Sequence, residues 1–136
     1  MKPAPMNSSK KSIIQSSVGF HQILEDNIVL ISLNKGVKYG VSELYESREI
    51  NEKLFPEGSY GVLLESAGYV NFESEARMLS VTPEHTKGRF ALAIINNSLT
   101  INALIKFYIM VASPDCPTKS FLSKPEALDW LRMQRR

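Results

Sequence analysis

Hydrophobic and polar positions change period along the chain, from the alternation of strands to the spacing of helices. Two extended runs, Val18–Leu24 and Ile28–Leu33, flank the turn-favouring residues 25–27 and predict an antiparallel hairpin. Apolar residues at helical spacing follow and predict a helix over 42–54, which Pro56 ends. The first part of the pattern therefore predicts two strands and a helix.

Two continuous apolar runs in the middle of the chain are typical of strands buried on both faces. They are "SYGVLLES" at 59–66 and "GRFALAII" at 88–95, each bounded by turn-forming residues. Between them, "FESEARMLSVTPEH" at 72–85 has helical spacing until Pro83 and predicts a second helix. This order of strand, helix and strand favours a parallel sheet.

The most apolar segment, "LTINALIKFYIMVA", predicts a third helix from about Ser98 to Ala112. At about 21 Å it is too short for the ~30 Å hydrocarbon core, so we expect no transmembrane segment. One apolar stripe, expected to cover the sheet, comprises Ile101, Leu104, Ile105, Tyr108 and Ala112. A second stripe on the opposite side comprises Leu99, Ala103, Phe107 and Met110. Its cover is predicted to come from the same chain, from a partner subunit, or from a lipid or small apolar ligand.

The last two segments complete the predicted order of elements. "TKSFLS" at 118–123 predicts a strand, and "SKPEALDWLRMQRR" predicts a helix with Ser123 as N-cap and Glu126 completing a capping box. The order β-β-α-β-α-β-α-β-α predicts an α/β domain with a mixed, mostly parallel five-stranded sheet and four helices. Residues 1–16 are polar and basic, so we expect a disordered tail before a single domain at 17–136.

Composition and charge narrow the partners and the location. The 16 basic and 14 acidic residues are spread along the 136-residue chain and show no concentrated basic stripe, so nucleic acid is not favoured. The single cysteine, Cys116, cannot form a disulfide within the chain, and the first residues lack the apolar core of a signal peptide. Both observations favour a cytoplasmic location.

The chain offers few residues that could carry catalysis. His21 falls in a predicted strand and is interpreted as a half-exposed strand residue, and His85 lies far from it in sequence. Cys116 is interpreted as a loop thiol with no histidine or basic cluster beside it to lower its pKa. A Gly-rich phosphate loop and an H-E-x-x-H motif are both missing. We therefore expect no catalytic residues, no metal site, no cofactor and no enzymatic activity.

Two segments resemble a known family. "YGVLLESAGYVNFESEAR" is similar to the strand-loop-helix of STAS domains, the fold of bacterial anti-sigma-factor antagonists. "PDCPTKSFLSKPEALDWL" resembles the closing strand and helix of small uncharacterised bacterial members. The resemblance spans about Phe20 to Trp130 and is nearest to the divergent bacterial branch grouped with the CRAL-TRIO lipid-binding proteins.

In antagonist STAS domains a serine in an Asp-Ser-Ser/Thr-Gly motif is phosphorylated by a partner kinase. By position, Glu73 stands at the aspartate, Ser74 at the serine, Glu75 at the second hydroxyl residue and Ala76 at the glycine. Only the serine matches, and a phosphate there would face two carboxylates. Ser74 is therefore interpreted as a helix-cap serine, with a phosphorylation switch as the alternative.

The resemblance implies a non-enzymatic regulatory domain that binds a protein partner or a second copy of itself, with the second and third helices as the contact surface. The alternative is a carrier of an apolar small molecule or lipid, or a membrane-associating module, with a mobile third helix. An elongated apolar cavity under the third helix would favour the carrier, and a flat exposed apolar patch would favour protein binding.

Overall fold

Six strands form the main sheet of the computed structural model, which describes residues 13–66 and 68–135. They are β1 (Ile13–Gln15), β2 (Gly19–Glu25), β3 (Ile28–Leu33), β5 (Tyr60–Ser66), β7 (Arg89–Ile95) and β8 (Thr118–Phe121). Two further strands, β4 (Lys38–Tyr39) and β6 (Asn71–Phe72), form a small parallel sheet of their own. The helices are α1 (Val41–Leu54), α2 (Ser74–Ser80), α3 (Pro83–Thr86), α4 (Leu99–Ala112) and α5 (Lys124–Gln134).

The main sheet is mixed, and its order is β1-β2-β3-β5-β7-β8. The first three strands pair antiparallel, because the tight turn between β2 and β3 returns the chain beside itself. The pairs β3–β5, β5–β7 and β7–β8 are parallel, since a helix connects each strand to the next. The predicted α/β class and the mixed, mostly parallel sheet are confirmed.

Alternation along the strands builds a core on each face of the sheet. On one face α5 packs over the sheet in a cluster of Ile28, Leu30, Leu63, Ala91, Ala93, Ala127 and Leu131. The other face carries the second cluster, which comprises Val18, Val29, Ile31, Leu33, Tyr39, Phe55, Tyr60, Val62, Val70 and Ala76. The small alanines of β7 lie under α5, whereas the second face is covered by α1, α2 and the small sheet.

The numbers of strands and helices differ from the prediction, which gave five strands and four helices. The main sheet has β1 as an additional edge strand, and α3 is an additional one-turn helix. Pro83 begins α3 instead of only ending α2, because proline is tolerated in a first turn and Thr82 caps that turn by accepting from the His85 amide. The strands β4 and β6 have two residues each, too few for a period to show in the sequence.

The predicted tail over 1–16 is only partly within the described residues. Residues 1–12 lie outside them. Ile13–Gln15 belong to β1, which pairs antiparallel with β2, so the prediction of disorder is wrong for these three residues. The backbone hydrogen bonds of an edge strand do not need the apolar periodicity on which the prediction relied.

Candidate ligand-binding site

A cavity of about 440 Å³ lies between α4 and the second face of the sheet. Its floor is apolar and its lid is the inner side of α4. The apolar lining comprises Ile31, Val62, Leu64, Leu92 and Ile94 from the sheet, Leu44, Phe72 and Ala76 from neighbouring elements, and Ile101, Leu104 and Ile105 from α4. Leu104 lines this space and is also 61% exposed, so the cavity is open to solvent beside α4.

The first turn of α4 is fixed to the ends of the strands by a buried asparagine. Asn102 donates through Nδ2 to the carbonyl oxygens of Asn96 at 3.2 Å and Phe121 at 3.0 Å. Its Oδ1 accepts from the hydroxyl of Ser120 at 3.2 Å. Asn102 is the buried residue of α4, and the polar contacts explain why an amide interrupts an otherwise apolar helix.

The second half of α4 is tied to α2 through Tyr108. The Tyr108 hydroxyl donates to the Arg77 carbonyl oxygen at 2.9 Å, and the Arg77 guanidinium lies 5.9 Å from the centre of the Tyr108 ring. The stripe of Ile101, Leu104, Ile105, Tyr108 and Ala112 was predicted to pack directly on the sheet, and that prediction is wrong. Ile101, Leu104 and Ile105 face the cavity because the anchor at Asn102 and the contact at Tyr108 leave a gap between α4 and the strands.

The second predicted stripe of α4, called the outer stripe from here on, lies on the surface. Phe107 is 61% exposed and Met110 is 70% exposed, and Leu99 and Ala103 are exposed as well. The first of the three predicted sources of cover, another part of the same chain, is therefore wrong for the described residues. A large apolar side chain left in water forfeits the free energy of burial, so this stripe stays a predicted contact surface.

Polar side chains gather at one end of the cavity. Arg48, Asn51, Ser47, His85 and Arg89 all line it. The sequence reasoning missed this group, although Leu44, Ser47, Arg48 and Asn51 follow helical spacing and share one face of α1. That spacing could have indicated that Ser47, Arg48 and Asn51 lie on the face of α1 that is turned towards the cavity.

His85 is buried without a hydrogen-bond partner. It is 5% exposed, and neither ring nitrogen is bonded to another of the described residues. The Tyr45 ring packs against it edge-on at 4.9 Å. Burial lowers the pKa of His85, and the positive charges of Arg48 and Arg89 lower it further. The imidazole is therefore neutral at pH 7 and offers one donor and one acceptor to the cavity.

His21 is also buried, so its interpretation as a half-exposed strand residue is wrong. It is 1% exposed, and its Nδ1 lies 2.8 Å from Asn51 Oδ1. Because an amide oxygen only accepts, Nδ1 carries the proton and Nε2 accepts from the Ser47 hydroxyl at 3.3 Å. The side chain of His21 lies on the face of β2 that α1 covers. The alternation of residues along β2 does not show by itself which of its two faces is covered.

The Ser47, His21 and Asn51 side chains follow the order of nucleophile, base and orienting group found in hydrolases. Ser47 lies in the middle of α1, where the backbone N–H groups are bonded within the helix. The backbone there leaves no donor pair for a developing oxyanion, which hydrolases of this kind require. The network instead fixes α1 to β2.

Cys116 is buried and touches a cation, so its interpretation as a loop thiol without a basic neighbour is corrected. Arg89 donates through Nε to its Sγ at 3.4 Å. The two residues are 27 positions apart in sequence and meet because β7 and β8 pair in parallel. Such a contact between distant segments has no local sequence signal.

Ser74 is the first residue of α2, and the cap position belongs to Glu73. The interpretation of Ser74 as a cap is therefore wrong by one residue, because the extended backbone conformation that defines the cap is found at Glu73. Ser74 is exposed, and Lys38 lies 3.8 Å from the Glu73 carboxylate. The phosphorylation switch at Ser74 and Glu73 stays a prediction.

Within residues 13–66 and 68–135, no cluster of three or more histidine, cysteine or acidic side chains has the geometry of a metal site. None of the helices in these ranges has the length and apolar character needed to cross a membrane.

Comparisons with known proteins agree with the fold. The family model of DUF7793, a domain of unknown function, matches residues 22–135. The chain is similar to the crystal structure of an uncharacterized protein of the DUF3478 family with a SpoIIAA-like fold from Shewanella loihica PV-4, at 17% identity and a TM-score of 0.55. The match covers 88% of this chain and 90% of that chain. No curated protein matches the sequence. The resemblance to the STAS fold is confirmed at the level of architecture.

Proposed function

This chain belongs to the DUF7793 family, and we propose that it is a non-enzymatic, STAS-like binding domain that holds an apolar small molecule in the cavity under α4. The cavity carries this proposal. Its volume of about 440 Å³ lies within the range of about 300–1,000 Å³ of small-molecule sites, and hydrophobic side chains form most of its wall. An apolar occupant would supply the contacts that the inner side of α4 and the floor lack.

The position of α4 supports a carrier over a purely structural helix. A helix of this composition gains free energy by lying on the sheet, yet Asn102 and Tyr108 hold it above the strands. With one fixed end and one side-chain contact at the other, α4 can move to admit a ligand while the sheet stays unchanged. In this proposal, α4 is the mobile third helix of the alternative hypothesis.

A cavity-filling variant tests the proposal with Nile red, an uncharged apolar dye that fluoresces in apolar sites. Ile94→Phe adds volume to the floor of the cavity and should weaken dye binding by about ten-fold or more, because the dye and the ring compete for the same space. Ile95→Phe is the matched control, since Ile95 lies on the opposite face of the sheet in the α5 core. Equal dye binding by both variants, or none by the unmodified chain, would contradict the proposal.

Native mass spectrometry of the purified chain provides an independent measurement. A carrier with an apolar site should retain a molecule from its expression host, and organic extraction should remove the additional mass. Because the same spectrum reports the number of subunits, it also shows whether the chain associates with a second copy of itself.

We also propose that the outer stripe of α4 binds a protein partner or a second copy of the chain, as expected for a regulatory domain. The exposure of Leu99, Ala103, Phe107 and Met110 favours this role. These side chains point away from the cavity, so ligand binding and partner binding can use the two sides of one helix. Movement of α4 on ligand binding would then change the partner surface.

Phe107→Glu tests the contact surface. Phe107 is exposed, so the variant should keep its fold by circular dichroism, whereas a carboxylate at a desolvated contact should abolish association in light scattering. Lys106→Glu is the control on the same helix, because Lys106 is exposed and outside the stripe. A folded Phe107→Glu variant with unchanged mass and unchanged partner binding would reject this surface.

A further inference from the structure

The charged side chains that line the cavity all carry positive charge. They are Arg48, Arg77 and Arg89, and no aspartate or glutamate of the described residues is among the lining. A cation beside an apolar space is costly unless an opposite charge or hydrogen bonds compensate it. A strictly apolar occupant would leave this cost in place.

Arg89 has hydrogen-bond capacity to spare. Its guanidinium donates to the Cys116 sulfur at 3.4 Å and to the Ser80 carbonyl oxygen at 3.3 Å, and neither acceptor is a carboxylate. The ion pairs found in the described part of the chain do not include Arg89. A guanidinium carries five N–H groups, so more than one donor is left for a ligand.

His85 supplies a second unsatisfied donor at the same end. It is buried with neither ring nitrogen bonded within the described chain, and it lines the cavity. Arg48 lies beside it, because its Nη1 donates to the carbonyl oxygen of Glu84. Arg48 also pairs with Glu52 at 3.0 Å. It therefore adds positive charge to this end of the cavity, but unlike Arg89 it already has a carboxylate partner.

We propose that the ligand is an amphipathic anion whose carboxylate or phosphate head binds Arg89 and His85 and whose apolar body lies along Val62, Leu92 and Ile94 under α4. This inference rests on the proposed function and specifies its ligand class. The head satisfies the arginine and the imidazole donor together, and charge-assisted hydrogen bonds of this kind are stronger than neutral ones. Arg77 is engaged with the Phe72 carbonyl and the Tyr108 ring at the α4 contact.

The test compares three probes that share one apolar chain: dodecanoate, dodecyl phosphate and dodecanol. Each is titrated against bound Nile red on the unmodified chain at concentrations below those at which the probe forms micelles. We expect at least one of the two anions to displace the dye at a concentration about ten-fold or more below that of dodecanol, since hydrogen bonds to charged groups contribute that much. The two anionic arms distinguish a carboxylate from a phosphate head.

Arg89→Met then assigns the preference to one residue. Methionine keeps an apolar stem but removes the guanidinium, so the advantage of the anion should fall to about two-fold or less while dodecanol is unaffected. Lys53→Met is the matched control, because Lys53 is an exposed cation on α1 that does not line the cavity. The Lys53→Met variant should prefer the anion over dodecanol as strongly as the unmodified chain does. The comparison on the unmodified chain decides the inference even if Arg89→Met does not fold.

The outcomes separate the two proposals. If the dye binds and dodecanol displaces it as well as both anions do, or none of the probes displaces it, the anionic ligand is rejected and the apolar site stands. If the dye itself does not bind, the proposed function fails and the inference fails with it. A preference for the anion that survives in Arg89→Met rejects the assignment of the head site.

Discussion

Single side chains decide how α4 and α2 begin. Ser98 caps α4, because its hydroxyl accepts from the Ile101 amide at 3.3 Å. At the start of α2 the cap position is Glu73, and no capping bond from the Ser74 hydroxyl is found among the described residues. The two serines are each followed by a helix, so the sequence does not distinguish them. The structure separates a serine that stabilises a helix end from one that is exposed.

Alanine substitutions at these serines should therefore differ. Ser98→Ala should lower the free energy of unfolding by about 1 kcal/mol through loss of the cap, and Ser74→Ala should change it by less than about 0.5 kcal/mol. Urea unfolding followed by circular dichroism measures both. A cost at Ser74 as large as that at Ser98 would show that its hydroxyl has a structural role after all.

The burial of His21 should make the free energy of unfolding depend on pH. Burial lowers its pKa below the usual 6.5, against the opposing effects of the Asn51 hydrogen bond and the Glu46 charge. The unfolded chain then binds a proton more readily than the folded chain. The free energy of unfolding should therefore be highest above about pH 6.5, and it should fall as the pH drops below that value towards the lowered pKa of His21 in the folded chain. His85 acts in the same direction. Urea unfolding across this range measures the change, and titration of His21 above 6.5 in NMR spectra would contradict its cause.

At the scale of elements, α4 is attached at two places of different strength. Three hydrogen bonds fix Asn102 in a buried site, whereas the far half of the helix depends on the bond from Tyr108 to the Arg77 carbonyl. Buried, fully satisfied polar contacts are expensive to break, and half-exposed ones are not. The end of α4 near Tyr108 is therefore the end that should open.

Removal of the Tyr108 hydroxyl tests this. Tyr108→Phe should speed hydrogen exchange of the backbone amides in the second half of α4, because the bond to α2 is lost, while the amides of α5 exchange as before. Mass-spectrometric hydrogen exchange measures both helices in one experiment. Uniform acceleration across the chain would indicate general destabilisation instead of a local opening.

At the scale of the whole molecule, the sequence predicted the main order of elements and missed the site. Periodicity identified the hairpin, the two central strands and the long helices, since each has enough residues to show its period. It also showed that α4 is apolar on two sides. The distance between α4 and the sheet depends on contacts such as Asn102 with Phe121, which join segments 19 residues apart and leave no periodic signal.

The polar end of the cavity was missed for a related reason. Arg48 lies on α1, His85 on α3 and Arg89 at the start of β7, so the three come together only through the packing of α1 and α3 against the end of the sheet. Each arginine alone is typical of a solvated surface position, and a single histidine does not indicate a site. The sequence therefore suggested an apolar ligand and gave no reason to expect a charged one.

The contact between Arg89 and Cys116 gives the chain a reporter of its own. Cys116 is the single cysteine of the sequence, and it is buried, so a thiol reagent can label the protein at one place and only after a local opening. A carboxylate held by Arg89 would order the guanidinium against the sulfur and make that opening rarer. Dodecanoate should therefore slow the labelling of Cys116 more than dodecanol does, and the rate of a thiol reaction would report the occupancy of a site that the thiol does not itself line.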